Sequence, residues 1–107
     1  MSQPPSFYTD MKAQHPELLG AFEALGKSAS HAGPLDCKTA ALVKLALGIG
    51  AGLEGSTHSS VRKALAAGCS PDEIRHAAVL AVTTLGFPTM MRARAWVEDV
   101  LGNPPGG

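Results

Sequence analysis

The sequence predicts an all-α protein, a single compact domain of about five to six helices over residues 1–107. Three observations carry this. Apolar residues recur at helical spacing over long stretches, and no strand-like alternation runs for more than a few residues. Helix stops and starts are written in the residue types they need, most clearly at Gly68 and at Ser70-Pro71-Asp72-Glu73. The chain is 45% hydrophobic but only 5% aromatic, so its core must be built from Ala, Leu and Val. Such a core suits close-packed helices better than a sandwich of aromatic and β-branched strands. A chain of this length holds a modest core, to which burial against further copies commonly adds.

Residues 1–6 and 103–107 are rich in Pro and Gly and are expected to be disordered tails. Phe7 to Gln14 forms a short first helix, ended because Pro16 pushes His15 out of the α region. Pro16 suits the first turn of a second helix. Along that helix Leu18, Leu19, Phe22, Leu25 and Ala29 trace one apolar face, up to the break at Gly33-Pro34. Asp36 caps a third helix from Cys37 to about Gly50. Its Leu42, Val43, Leu45, Ala46, Leu47 and Ile49 cover more than one side, so it is expected to be buried on several sides, by other helices or by a second subunit. Gly48, Gly50 and Gly52 argue for a bend or a close backbone approach near its end.

The fourth helix, Glu54 to about Ala67, turns Thr57 or His58, Val61, Ala64 and Leu65 inward, and Gly68 stands where a left-handed residue closes it. Ser70 opens the fifth, with Pro71 in first position and Glu73 completing a capping box. It carries Ile74, Ala77, Ala78, Ala81, Val82 and Leu85 and runs to Gly86. The sixth opens at Pro88 and carries Trp96, Val97, Val100 and Leu101 to Gly102.

Nine basic residues balance nine acidic ones with no run of like charge. A nucleic-acid partner would call for a basic stripe, and none is visible. The most apolar stretch, Leu45 to Leu53, is far short of the roughly 20 residues a membrane span needs. MSQPPSFYTD has neither the basic nor the apolar region of a signal peptide, so a cytoplasmic location is expected. Cys37 and Cys69 stand in no metal or redox spacing. Each is read as a small filler in a reducing compartment, with a structural disulfide as the alternative.

The stretch LEGSTHSSVRKALAAGCSPDEI, Leu53 to Ile74, followed by Gly86-Phe87-Pro88, resembles the carboxymuconolactone decarboxylase family, which includes the alkyl hydroperoxidase D proteins. The likeness extends over roughly Leu35 to Leu101. It implies an alkyl hydroperoxidase D-like helical fold, a homo-trimer or homo-hexamer, and a small-molecule ligand in a pocket between helices near the subunit contacts. In the hydroperoxidase branch a Cys-x-x-Cys precedes a His, with an upstream Glu. Those positions fall here on Leu53, Ser56, Ser60 and Ala41. With no thiolate there, peroxide chemistry by that route is not expected. The decarboxylase branch's histidine also falls on Ser60, so the chain resembles a subgroup without the Cys-x-x-Cys motif, carrying Glu54 and His58 instead.

Glu54 and His58, spaced i,i+4, lie on one helix face and can share a hydrogen bond or a ligand. A carboxylate beside an imidazole raises its basicity and fixes its tautomer, which suits an acid/base pair. The plain alternative is a surface pair at a helix start, where Glu also favours the dipole. Ser56, Ser60, His76 and Phe87 are expected to line the pocket. The pair supplies two metal ligands, with His76 or His31 as a third, but no spacing fixes that third; no metal and no cofactor is expected. The hydroxyls around His58 lack a Gly-x-Ser-x-Gly elbow and read as caps or pocket lining.

Two classes of function remain open. One is an enzyme, lyase-like, handling a small organic acid or lactone with Glu54 and His58. The other is a non-catalytic oligomeric binding or scaffold protein; an antioxidant role of the alkyl hydroperoxidase D kind is the third reading, resting on Cys37 and Cys69.

Overall fold

A computed structural model describes residues 6–102. Within them the chain is helical: α1 (Ser6–Gln14), α2 (Pro16–Ser30), α3 (Cys37–Gly50), α4 (Glu54–Ala66), α5 (Pro71–Val79), α6 (Val82–Leu85) and α7 (Phe87–Leu101), with no strand among the described residues. Ser6, placed in the expected N-terminal tail, begins α1; the rest of both tails lies outside the described residues. The helices fall into two compact units, α1 and α2 in one and α3 to α7 in the other, divided between Leu35 and Asp36.

In the first unit, α1 and α2 turn sharply at His15. Tyr8 Oη donates to the Glu23 carboxylate at 2.5 Å, and Lys12 Nζ pairs with the same oxygen at 3.1 Å. The apolar face expected on α2 is present as a stripe, but Leu19 is its one buried member; Leu18, Phe22 and Leu25 are exposed.

The second unit is a ring of four helices, in which α3 packs on α4, α4 on α7, α7 on α5, and α5 back on α3. Each helix gives the centre a pair of apolar residues: Leu45 and Ile49, Val61 and Ala64, Ala93 and Val97, Ile74 and Ala78. Three of these eight are alanines, which lets the helix backbones approach closely around a thin core. Closest of all is α3 on α4. A Cβ built on Gly48 would stand 3.2 Å from Thr57 Oγ1 and 3.3 Å from Ser56 Oγ. Thr57 cannot retreat, since it is fully buried and donates to the Leu53 carbonyl at 2.8 Å.

The local signals hold the helices where the sequence placed them. Asp36 Oδ1 accepts from Thr39 N at 2.7 Å and starts α3. At the end of α4, Gly68 adopts φ +97°, while Cys69 N donates to the Ala64 carbonyl and Gly68 N to the Leu65 carbonyl. This is the Schellman pattern, which needs a left-handed residue that glycine adopts without strain. Ser70 Oγ accepts from Glu73 N at 3.0 Å and Glu73 returns the bond to Ser70 N at 2.8 Å, completing the capping box.

One boundary differs. The fifth helix expected to run to Gly86 breaks after Val79; Ala81 N makes a tighter i to i−3 bond to Ala78 O in the turn before α6, and Thr84 N another to Ala81 O within α6. The β-branched run Val82-Thr83-Thr84, which crowds the preceding turn, accounts for it.

A polar clamp fastens α5 to α7 outside the core. Arg75 reaches both oxygens of Glu98, at 2.7 and 3.2 Å, and Arg94 adds a third contact at 2.6 Å. The Arg75 hydrogen bonds, against a smaller opposing effect of burial, hold the Glu98 carboxyl below its ordinary value.

Two outcomes follow from this packing. Gly48→Val is expected to lower unfolding stability by about 1–3 kcal/mol through overpacking against Thr57, with Gly48→Ala milder because alanine favours the helix; urea unfolding measures both. A depressed Glu98 pKa means its stabilisation is complete above the unfolded carboxylate value of about 4.3 and is lost as pH falls through the folded value. Glu98→Gln is therefore expected to lower the urea midpoint at pH 7, and the gap from the parent protein is expected to shrink in strongly acidic buffer.

Candidate functional site

Helix α3 has a second side that the core only partly uses. Thr39, Leu42, Val43, Ala46 and Gly50 recur along it at helical spacing, with the core residue Ile49 at its edge, and opposite them stand Glu73, His76, Ala77, Leu80 and Ala81, continued by Thr84 and Leu85 of α6. Between the two rows lies a cleft of about 700 Å³. Two contacts fix its direction. Lys38 Nζ pairs with Glu73 Oε1 at 3.5 Å at one end, and a Cβ on Gly50 would meet Leu85 at 3.9 Å at the other. The helices therefore run side by side in the same sense. Thr39, Glu73 and His76 gather at the polar end, and the rest of the wall is almost wholly apolar.

The three polar groups differ in what they can do. Glu73 is engaged: the Ser70 backbone N–H above all, then Lys38, hold its carboxyl below the usual range, so it stays anionic. His76 is exposed on the cleft wall, and its side chain makes no hydrogen bond or ion pair with any described residue. An imidazole without an internal partner is available to a ligand as donor or acceptor.

The residues singled out from sequence divide between this cleft and a second place. His76 lines the cleft; Glu54, Ser56, His58, Ser60 and Phe87 do not. Glu54 and Ser56 are exposed at the head of α4, Ser60 is buried against the ring, and Phe87 is exposed at the start of α7. The His58 side chain, 24% exposed, turns toward α7, where its Nε2 lies 3.0 Å from Asp99 Oδ2. Glu54, His58 and Asp99 each bring one oxygen or nitrogen within 4.8 Å of the others. Rather than looking into the cleft, the i,i+4 pair forms a separate carboxylate–imidazole–carboxylate cluster.

Asp99 escaped notice because it stands 41 positions from His58 and only the packing of α7 on α4 joins them. Leu42, Val43 and Ala46 of the cleft row belong to the helical periodicity of α3, for which burial by other helices or a second subunit is expected; Thr39 lies outside that apolar pattern.

Both cysteines are free thiols. Cys37 is exposed, whereas Cys69 is buried with its Sγ 3.7 Å from the Lys38 carbonyl, and burial pushes its thiol up from the ordinary value. A raised thiol is the reverse of what peroxide chemistry requires.

The carboxymuconolactone decarboxylase family model matches residues 16–99, most of the chain. The chain belongs to that family. Its fold is also that of a solved carboxymuconolactone decarboxylase family protein from Legionella pneumophila, crystallised in its apo form. The match has a TM-score of 0.74 at 24% identity and covers 91% of this chain and 87% of the other. No curated protein matches.

Proposed function

We propose that the chain binds a small, mainly apolar carbonyl compound, such as a lactone, in the cleft between α3 and α5, and that His76 handles its carbonyl by acid/base chemistry. The observation that carries this is an unpartnered imidazole at the polar end of a 700 Å³ apolar cleft. Pockets of this size, apolar with a few convergent polar groups, are the usual form of small-molecule sites. The acid/base role that the sequence suggested for Glu54 and His58 passes in this reading to His76, with Thr39 beside it as a hydroxyl donor. Glu73 decides the ligand's charge. As a standing anion at that end, it disfavours a free carboxylate and leaves a neutral carbonyl as the better head group.

A homo-oligomer fits the same face. Val43, Leu47, Leu80 and Leu85 are exposed apolar residues on the helices that wall the cleft. In a second reading those residues serve as an interface between copies and no ligand enters.

Titrating the isotopically labelled protein with a series of small lactones and their ring-opened acids separates the readings. Lactones are expected to shift the amide signals of Leu42, Ala46, Ala77 and Leu85 and to bind more tightly than the acids, and His76→Gln is expected to weaken them about five- to tenfold with the fold unchanged. Shifts centred on His58, or unaltered binding by His76→Gln, would reject the site. For the interface, Leu47→Glu is expected to retain its helicity and sediment as a smaller species than the parent protein. A parent protein that already sediments as a monomer rules the interface out.

A further inference from the structure

The cluster on the other side of the ring, Glu54, His58 and Asp99, is not absorbed by that function. We infer that it is a binding site for a divalent first-row metal ion, with Glu54, His58 and Asp99 as the three protein ligands and water completing the shell. The donors come from two helices packed against each other, α4 and α7, so their backbone positions are set by the fold rather than by a loop. Glu54 and His58 are one turn apart on one face of α4, and Asp99 faces them from α7.

Distance and charge both favour this. Two ligands bound to one such ion at about 2.0–2.2 Å stand roughly 3 Å apart. His58 Nε2 and Asp99 Oδ2 are already 3.0 Å apart, so an ion can bridge them with no movement of either helix. All three ligand atoms fall within 4.8 Å, which leaves the exposed Glu54 carboxylate a side-chain rotation to complete the set. Among the described residues no Lys or Arg pairs with Glu54 or Asp99. Two carboxylates therefore face one imidazole with no Lys or Arg to balance them, beside the N-terminal dipole of α4. A dipositive ion supplies the positive charge that this arrangement lacks. One nitrogen and two carboxylate oxygens suit zinc, manganese or iron(II) better than a thiolate-seeking ion, and three protein ligands leave an open position for water.

The competing account is an ordinary His58–Asp99 ion pair with Glu54 nearby by chance, and binding measurements distinguish them. Zinc chloride is titrated calorimetrically into the full chain, with cobalt(II) absorption as a readout of ligand geometry. One saturable site per chain is expected, weakened about tenfold or more in Glu54→Gln, His58→Gln and Asp99→Asn, and unchanged in His76→Gln, His31→Gln and Cys37→Ser. Glu54 is exposed, so Glu54→Gln keeps the test valid even if a variant at His58 fails to fold. Absence of saturable zinc binding overturns the site. So does binding that Glu54→Gln and Asp99→Asn leave intact, or that is lost instead with His31, His76 or Cys37. Because His76 lies outside the cluster, the lactone titration succeeds or fails independently of this one.

Discussion

Helix α3 carries more apolar surface than one side of contact can cover, and the rest of the second unit is arranged around that excess. Leu45, Gly48 and Ile49 face the ring and are buried, while Val43, Ala46 and Leu47 are left on the other side. The buried side sets how tightly the ring closes. Gly48 lets α3 lie so close to Thr57 that even a Cβ would be tight, and the alanines of α4, α5 and α7 keep the remaining distances short. Water is unfavourable for the other side. A cleft walled by α5 and α6, or a second copy laid across it, are the two ways to relieve it.

That division of labour explains why the two polar places in the unit are so different. The cleft lies between α3 and α5, where neighbouring surfaces are apolar and a single imidazole stands without a partner. The Glu54–His58–Asp99 cluster lies across the ring between α4 and α7, half in solvent, where charged groups meet each other. The first has the character of a site for an apolar molecule with one polar end, the second that of a site for a small cation. Nothing requires them to act together. The capping box joins the cleft to the fold directly, since Glu73, whose bond to Ser70 N starts α5, is also the anion at the polar end. A local stop-and-start signal thus doubles as the feature that sets the charge of the ligand.

The family resemblance and the chemistry pull apart in an instructive way. The chain matches the family over residues 16–99, while Leu53, Ser56, Ser60 and Ala41 stand where the resemblance drawn from the sequence would place the hydroperoxidase branch's reactive groups. Ser60 is now a buried polar residue facing the ring, and Thr57 beside it ties back to the Leu53 carbonyl. The head of α4 has become structural on its inner side and acidic on its outer side.

The sequence by itself determined the helices and most of their ends. Asp36, Gly68 and the Ser70–Glu73 box act through bonds to residues within five positions, and Pro16 through its fixed φ and its crowding of His15; such local effects are legible wherever they occur. It also determined that Glu54 and His58 share a face, because one helical turn is a local distance. Only the tertiary structure decided that the surplus side of α3 borders a cleft rather than a core, and that Asp99 completes the group around His58. The reason is the same each time. Which side of a helix is covered, and by what, depends on which other helices pack against it, and residues as far apart as His58 and Asp99 meet only because α7 packs on α4.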